Sequence, residues 1–185
     1  MNYTEQIRHY LALEQQVLSD LDVDAVNGLM NLMEQTRLAG KRIFVCGNGG
    51  SAATASHFVC DFMKGVSLNQ DVKYDFECLN DNVPLMMAVA NDIGYEEVFV
   101  MPLRAKLTPG DLVVGISGSG NSENVVRAID YARSHGAKTA VLVGYSGGKL
   151  KFMADCAVHI QIDNMQIVED VHMILDHLMM YILAN

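Results

Sequence analysis

The sequence predicts an α/β fold in which a parallel sheet carries helices on both faces, with two further helices in front of it. Three observations lead there. Beyond Gly40, apolar β-type runs alternate with helix-period segments. Two of those runs end in Gly/Ser/Asn-rich loops that each open a helix. Residues 1–39, by contrast, hold helix-period apolar positions and no strand-like block. Strands alternating with helices must be joined by crossovers, and crossovers on a twisted sheet lay helices across its faces.

Ile7, Tyr10, Leu11, Val17 and Leu18, then Val26, Leu29, Met30 and Met33, recur at helical spacing and predict two helices packed outside the sheet. Ile43-Phe44-Val45-Cys46 is the first strand, and the segment from Ser51 to about Lys64 is the helix that follows it. Further β runs stand at 73–79, 112–116, 139–143 and 156–161, with helical segments at about 83–91, 122–135 and 166–184. The methionines of these helical stripes, among them Met86, Met87, Met173, Met179 and Met180, read as core filler. No long linker or low-complexity tract interrupts the chain. Residues 1–185 therefore read as one domain, with N-terminal helices over 1–39 and an α/β core over 41–185.

Half of the 185 residues are hydrophobic, enough to bury a core without disulfides or a structural metal. A net charge of −9 argues against a broad basic surface for nucleic acid or an anionic membrane, so any anion must be held locally. Cys46, Cys60, Cys78 and Cys156 form no C-x-x-C pair and fall mostly in apolar runs, which predicts buried free thiols. The polar start of the chain lacks the apolar core of a secretory signal. The stretch 171–183, broken by His172, Asp176 and His177, falls short of the ~20 residues a membrane span needs. The expected location is the cytoplasm, with neither a nucleic-acid nor a membrane partner.

The two loops echo one another: Lys41 to Ser51 and Asp111 to Ser122 are each strand, Gly/Ser/Asn loop and helix start. In a doubly wound sheet such loops gather beyond the carboxyl ends of the strands, and two of them suggest one shared pocket. Ser117, Ser119 and Ser122 surround a helix start, where free N–H groups and the helix dipole favour an anion, while Gly118 and Gly120 let the backbone close around it. The plainer role for Ser122 is to cap the helix. A nucleoside triphosphate is disfavoured because no Gly-Lys-Ser/Thr is present. Gly47-x-Gly49-x-x-Ala52 satisfies a dinucleotide fingerprint superficially, but that reading leaves the second loop unexplained and finds no convincing acidic residue closing the run at 73–79.

His57 and Asp61 are four apart, hence on one helix face, within reach of whatever the first loop binds. Glu169 and His177 are eight apart on the last helix, with Met173 between them and His172 and Asp176 nearby. Spacing alone leaves each pair open between an acid/base or metal cluster and an ordinary hydrogen-bonded helix feature. His9, His135 and His159 have no partner at useful spacing.

Three segments, Cys46-Gly47-Asn48-Gly49-Gly50-Ser51-Ala52-Ala53-Thr54-Ala55-Ser56-His57-Phe58, Ala90-Asn91-Asp92-Ile93-Gly94-Tyr95 and Gly115-Ile116-Ser117-Gly118-Ser119-Gly120-Asn121-Ser122, together resemble the sugar isomerase (SIS) domain family, and within it the phosphoheptose isomerase group. The resemblance runs over nearly the whole chain. It implies a flavodoxin-like three-layer αβα sandwich with a five-stranded parallel sheet and extra N-terminal helices. It also implies a homotetramer whose active sites are built from more than one subunit. Asn48, Gly49, Gly50 and Ser51 become the first substrate loop, Asn91 and Asp92 a substrate-contacting turn, and Ser117, Gly118, Ser119 and Ser122 the phosphate loop. His57, Asp61, Glu169 and His177 fall on the family's metal and acid/base positions, where zinc can sit; Glu169 is also counted among the substrate contacts. Three positions depart from the pattern: Asp61 stands where the group has Glu, Glu169 where it has Gln, and Gly118 where it usually has Thr.

The implied activity is aldose–ketose isomerisation of sedoheptulose 7-phosphate through an enediol, with Asp61 and His177 moving protons and zinc polarising the carbonyl. Two alternatives stand beside it: an isomerase of another phosphorylated sugar, and a non-catalytic sugar-phosphate-binding regulator or replication-initiation partner.

Overall fold

A computed structural model describes residues 1–184. Two helices, α1 (Thr4–Ser19) and α2 (Val23–Leu38), precede the sheet. The sheet is built from β1 (Arg42–Gly47), β2 (Asp75–Cys78), β3 (Leu112–Ser117), β4 (Lys138–Val143) and β5 (Cys156–His159). All pairings are parallel, in the order β2-β1-β3-β4-β5. That is the flavodoxin-type order, and the chain reverses direction across the sheet between β1 and β3, so the crevice at their carboxyl ends is where such folds bind ligands.

Helices α3 (Gly50–Cys60), α4 (Val83–Asp92), α5 (Val100–Lys106), α6 (Glu123–Ser134), α7 (Leu150–Met153) and α8 (Met165–Ala184) complete the layers. The central strands β1, β3 and β4 are largely apolar because both faces are covered, whereas the edge strand β2 carries Asp75 and Glu77. Ile43, Val45, Leu112, Val114, Ile116, Ala140 and Leu142 point to one core, shared with Leu29 and Met33 of α2, Phe58 of α3 and Val171, Leu175 and Met179 of α8. Phe44, Cys46, Val113, Val141 and Val143 point to the other, shared with Val89, Leu103, Val125, Ile129 and Leu150. Hydrophobic alternation within an apolar strand thus decides which helix layer each side chain meets.

Several sequence expectations are corrected. The runs at 73–79 and 156–161 shorten to strands of four residues each, and the helix expected to run to Lys64 is α-helical only to Cys60. Asp61–Val66 then winds as a wider, π-type turn. Within this turn a Cβ at Gly65 would sit 2.3 Å from the Met180 methyl, so α8 packs directly on that backbone. The helix α5 carried no clear periodic signal at seven residues. Cys60 is exposed, whereas Cys46 and Cys78 are buried free thiols, both pushed up by burial. Met87 is 66% exposed and so is not core filler. Among the described residues no helix is long and apolar enough to cross a membrane.

Candidate active site

Gly47 ends β1 and the chain turns through Asn48 and Gly49 into α3. Gly49, the N-cap of α3, has φ 56° and ψ −122°, a conformation reserved for glycine. Asn48 is fixed by three hydrogen bonds to two residues: its amide donates to Asn124 Oδ1 at 2.9 Å, and its Oδ1 accepts from Asn124 Nδ2 and from the Tyr95 hydroxyl, both at 2.8 Å. These bonds tie the first loop to the start of α6 and to the turn after α4. Asn91 and Asp92, both exposed at the end of α4, are joined by a 2.7 Å hydrogen bond just before that turn. Asn48, Tyr95, Ser122 and Asn124 border an open cleft of ≈ 530 Å³. Tyr95 closes one of the segments that carry the family resemblance but was given no role there, and Asn124, two residues beyond Ser122, carried no signal of its own.

In the second loop, the Ser117 and Ser122 hydroxyls lie 3.1 Å apart, and Ser119 Oγ accepts from Asn121 N at 3.2 Å. Ser122 occupies the N-cap of α6 but makes no capping bond through its side chain. Its hydroxyl is turned toward Ser117, so the capping role expected of it is not what it performs. The first N–H groups of a two-and-more-turn helix and three hydroxyls therefore share one loop, a composition suited to an anion.

Helices α3 and α8 lie side by side and in the same direction: Glu169 meets Gly50 at the start of α3, while His177 meets His57 and Asp61 further along. His57 Nε2 and His177 Nε2 are 3.1 Å apart, and Asp61 Oδ2 is 3.5 Å from the first and 3.9 Å from the second. The fourth member of the group is Asp176; one donor atom from each of the four residues lies within 4.8 Å of all the others. Asp176 is fully buried, and neither of its oxygens has a hydrogen-bond partner. Burial pushes its carboxyl up to about 8, and the charge of Asp61 adds to the shift. One helical turn before it, His172 is likewise buried; burial pushes its imidazole down to about 4, against a smaller opposing contribution from the Val143 backbone.

This group suits a divalent cation. In a tetrahedral site with bonds of about 2.05 Å, ligand atoms stand about 3.3 Å from one another, and the imidazole and carboxylate atoms of His57, Asp61 and His177 already span 3.1–3.9 Å. Two imidazoles and two carboxylates suit zinc, iron or manganese. Glu169, expected among these ligands, is not within the group. Its carboxylate rests against Gly50, where a Cβ would come within 2.2 Å of Glu169 Oε2.

The SIS domain family model matches residues 2–144. The phosphoheptose isomerase of Helicobacter pylori (strain Shi470) is 35% identical over 175 residues, spanning 95% of this chain and 90% of its own. The chain belongs to the SIS domain family, in its phosphoheptose isomerase group. The phosphoheptose isomerase of Akkermansia muciniphila is also 35% identical, over 153 residues that span 83% of this chain and 80% of its own. Among solved structures, the phosphoheptose isomerase of Neisseria gonorrhoeae superposes with a TM-score of 0.90 at 28% identity, covering 98% of both chains. One departure from the phosphoheptose isomerase pattern has a packing cause. A Cβ at Gly118 would lie 2.5 Å from Met165 Sδ, so the thioether fills the space that a threonine would need.

Proposed function

We propose that this protein is an aldose–ketose isomerase of a sugar phosphate, acting on sedoheptulose 7-phosphate through an enediol. The observation that carries the reading is the meeting of Asp61 with His57 and His177, brought together from two helices at 3.5 and 3.9 Å. Isomerisation needs a base that moves a proton between C1 and C2 and a second group that moves a proton between the two oxygens. Asp61 suits the first task. A carboxylate has two oxygens, so one can face the imidazoles while the other addresses a carbon-bound proton. His177, 56% exposed at its side chain, suits the second through its remaining ring nitrogen.

The substrate phosphate is assigned to Ser117, Ser119, Ser122 and the start of α6, which would fix the reacting carbons relative to α3 and α8. Asn48, Gly49, Gly50 and Ser51, with the turn at Asn91 and Asp92, are assigned to the sugar hydroxyls. Glu169, which rests on Gly50, is assigned to accept from one of them. When a divalent cation, zinc in the first instance, is held by His57, Asp61 and His177, the chemistry supplied is Lewis-acid polarisation of the substrate carbonyl. Assembly as a homotetramer agrees with α1, which buries no residue and exposes Ile7 and Leu11.

The test is turnover of Asp61→Asn and His177→Ala. Each should lose activity by about 10²- to 10⁴-fold while still binding sugar phosphate. Full turnover by both variants would end the assignment.

A further inference from the structure

We infer that Asn124 is a positioning residue: it holds the Asn48 side chain so that this amide can only donate a hydrogen bond to the bound sugar. The inference deepens the sugar-phosphate reading above and rests on its assignment of Asn48 to the substrate. The two side chains pair reciprocally, amide to amide. Asn48 Nδ2 donates to Asn124 Oδ1 at 2.9 Å, and Asn124 Nδ2 donates back to Asn48 Oδ1 at 2.8 Å. Those two distances alone would allow both amides to be turned over together. The neighbouring backbone selects one arrangement, because Asn124 Oδ1 also accepts from Val125 N–H at 3.0 Å, which an amide nitrogen in that place could not do. Asn124, buried at the start of α6, thus has one orientation and imposes the matching one on Asn48.

The consequence for Asn48 follows from its inventory of donors and acceptors. The two lone pairs of Oδ1 are taken by Asn124 Nδ2 and by the Tyr95 hydroxyl. One Nδ2 hydrogen goes to Asn124, so a single N–H is left for a ligand in the cleft that Asn48 borders. An unheld asparagine would turn either end toward a sugar; this one selects an oxygen that accepts. A donor already fixed also needs no reordering when the sugar arrives. The backbone that carries Asn48 is held separately: Asn80 Nδ2 donates to Gly47 O at 2.8 Å, and Asn80 Oδ1 accepts from Gly47 N at 3.2 Å. Removing the Asn124 side chain therefore frees the Asn48 amide without releasing the chain beneath it. Because Asn124 follows the N-cap Ser122 by two residues, the pair also keeps this donor at a set distance from the phosphate loop.

The experiment is a double-mutant cycle on the full-length protein, with sedoheptulose 7-phosphate as substrate and inorganic phosphate as competitor. It compares the parent with Asn48→Ala, Asn124→Ala and the double variant. Each single variant should lose about tenfold or more in kcat/KM. The double variant should fall within about twofold of Asn48→Ala, since a residue that acts only through Asn48 then has nothing left to act on. Inorganic phosphate reads the second loop alone, so its inhibition constant should stay within about threefold across the set. Asn124→Asp guards against a folding artefact: it is isosteric, keeps the acceptor for Val125 N–H and loses only the donation to Asn48. Its added charge acts alike with and without Asn48, so the coupling to Asn48→Ala should persist. Losses that multiply in the double variants, or a phosphate constant that weakens with Asn124→Ala as much as kcat/KM falls, would make Asn124 a structural part of α6 and overturn the inference while leaving the isomerase reading intact. Full turnover by Asn48→Ala would do the same. A parent that does not turn over the sugar phosphate would end the isomerase reading and this inference with it.

Discussion

His57 and His177 face one another across the seam between α3 and α8, their Nε2 atoms 3.1 Å apart and their rings inclined at 71°. The two residues stand 120 positions apart in sequence. Two imidazole nitrogens at that separation need a proton or a cation between them.

A divalent cation should therefore stabilise the fold. At a hundred times its dissociation constant, Zn²⁺ should add about 2.7 kcal/mol, which for a chain of this size is about 5–10 °C in Tm. Thermal melts with Zn²⁺ and with chelator check it. His57→Ala should abolish the shift, and an equal shift in that variant would place the ion elsewhere.

The serine hydroxyls of the second loop should matter for the ligand far more than for the fold. Because Ser122 makes no side-chain capping bond, Ser122→Ala should change Tm little. Losing a hydrogen bond to a charged phosphate costs about 1.5–3 kcal/mol, so calorimetry with the sugar phosphate should show affinity about 10- to 100-fold lower. A large drop in Tm with unchanged affinity would mean that Ser122 serves the helix alone.

Gly50 should tolerate no side chain while Glu169 stands over it. Gly50→Ala places a methyl group 2.2 Å from Glu169 Oε2, and the resulting shifts should cost about 1–3 kcal/mol in denaturant melts. Because the neighbour is a side chain, Gly50→Ala with Glu169→Ala should recover most of that loss. Equal destabilisation of the double variant would move the clash to the backbone.

Stability of the metal-free protein should fall as pH rises from about 6.5 to 8. Asp176 keeps its proton up to about 8 in the fold but only to about 3.8 when unfolded, so its contribution is complete at low pH and declines from about 4 to 8. His172 acts the other way: its imidazole titrates near 4 in the fold and near 6.5 unfolded, so its contribution rises with pH between those values. The two oppose one another up to about 6.5. Above that only Asp176 is left of this pair, at no more than about 1.4 kcal/mol per pH unit. Asp61, His57 and His177 face Asp176, so the control is Asp176→Leu, in which the decline should vanish. Urea melts across the range check it.

The layers of this fold were legible because its central strands β1, β3 and β4 are nearly continuous apolar runs. What the sequence could not disclose depends on contacts between distant elements. The π-type turn at Asp61–Val66 has its Gly65 packed under Met180 of the last helix, a long-range contact that no local pattern encodes. The loops were legible as glycine and serine around helix starts, yet the Asn48–Asn124–Tyr95 network that holds them spans three elements. Asp176 is the instructive case. It stands seven residues from Glu169 and four from His172, a polar stripe along a helix whose other buried positions are apolar, and that spacing is a better geometric match to Glu169 than His177 is.

The most direct measurement is proton NMR of the zinc-loaded protein with sedoheptulose 7-phosphate in D₂O. The account predicts an aldose product, deuterium incorporated at the carbon beside the carbonyl, and loss of both with Asp61→Asn. Neither product nor deuterium exchange from the folded, zinc-loaded protein would contradict it.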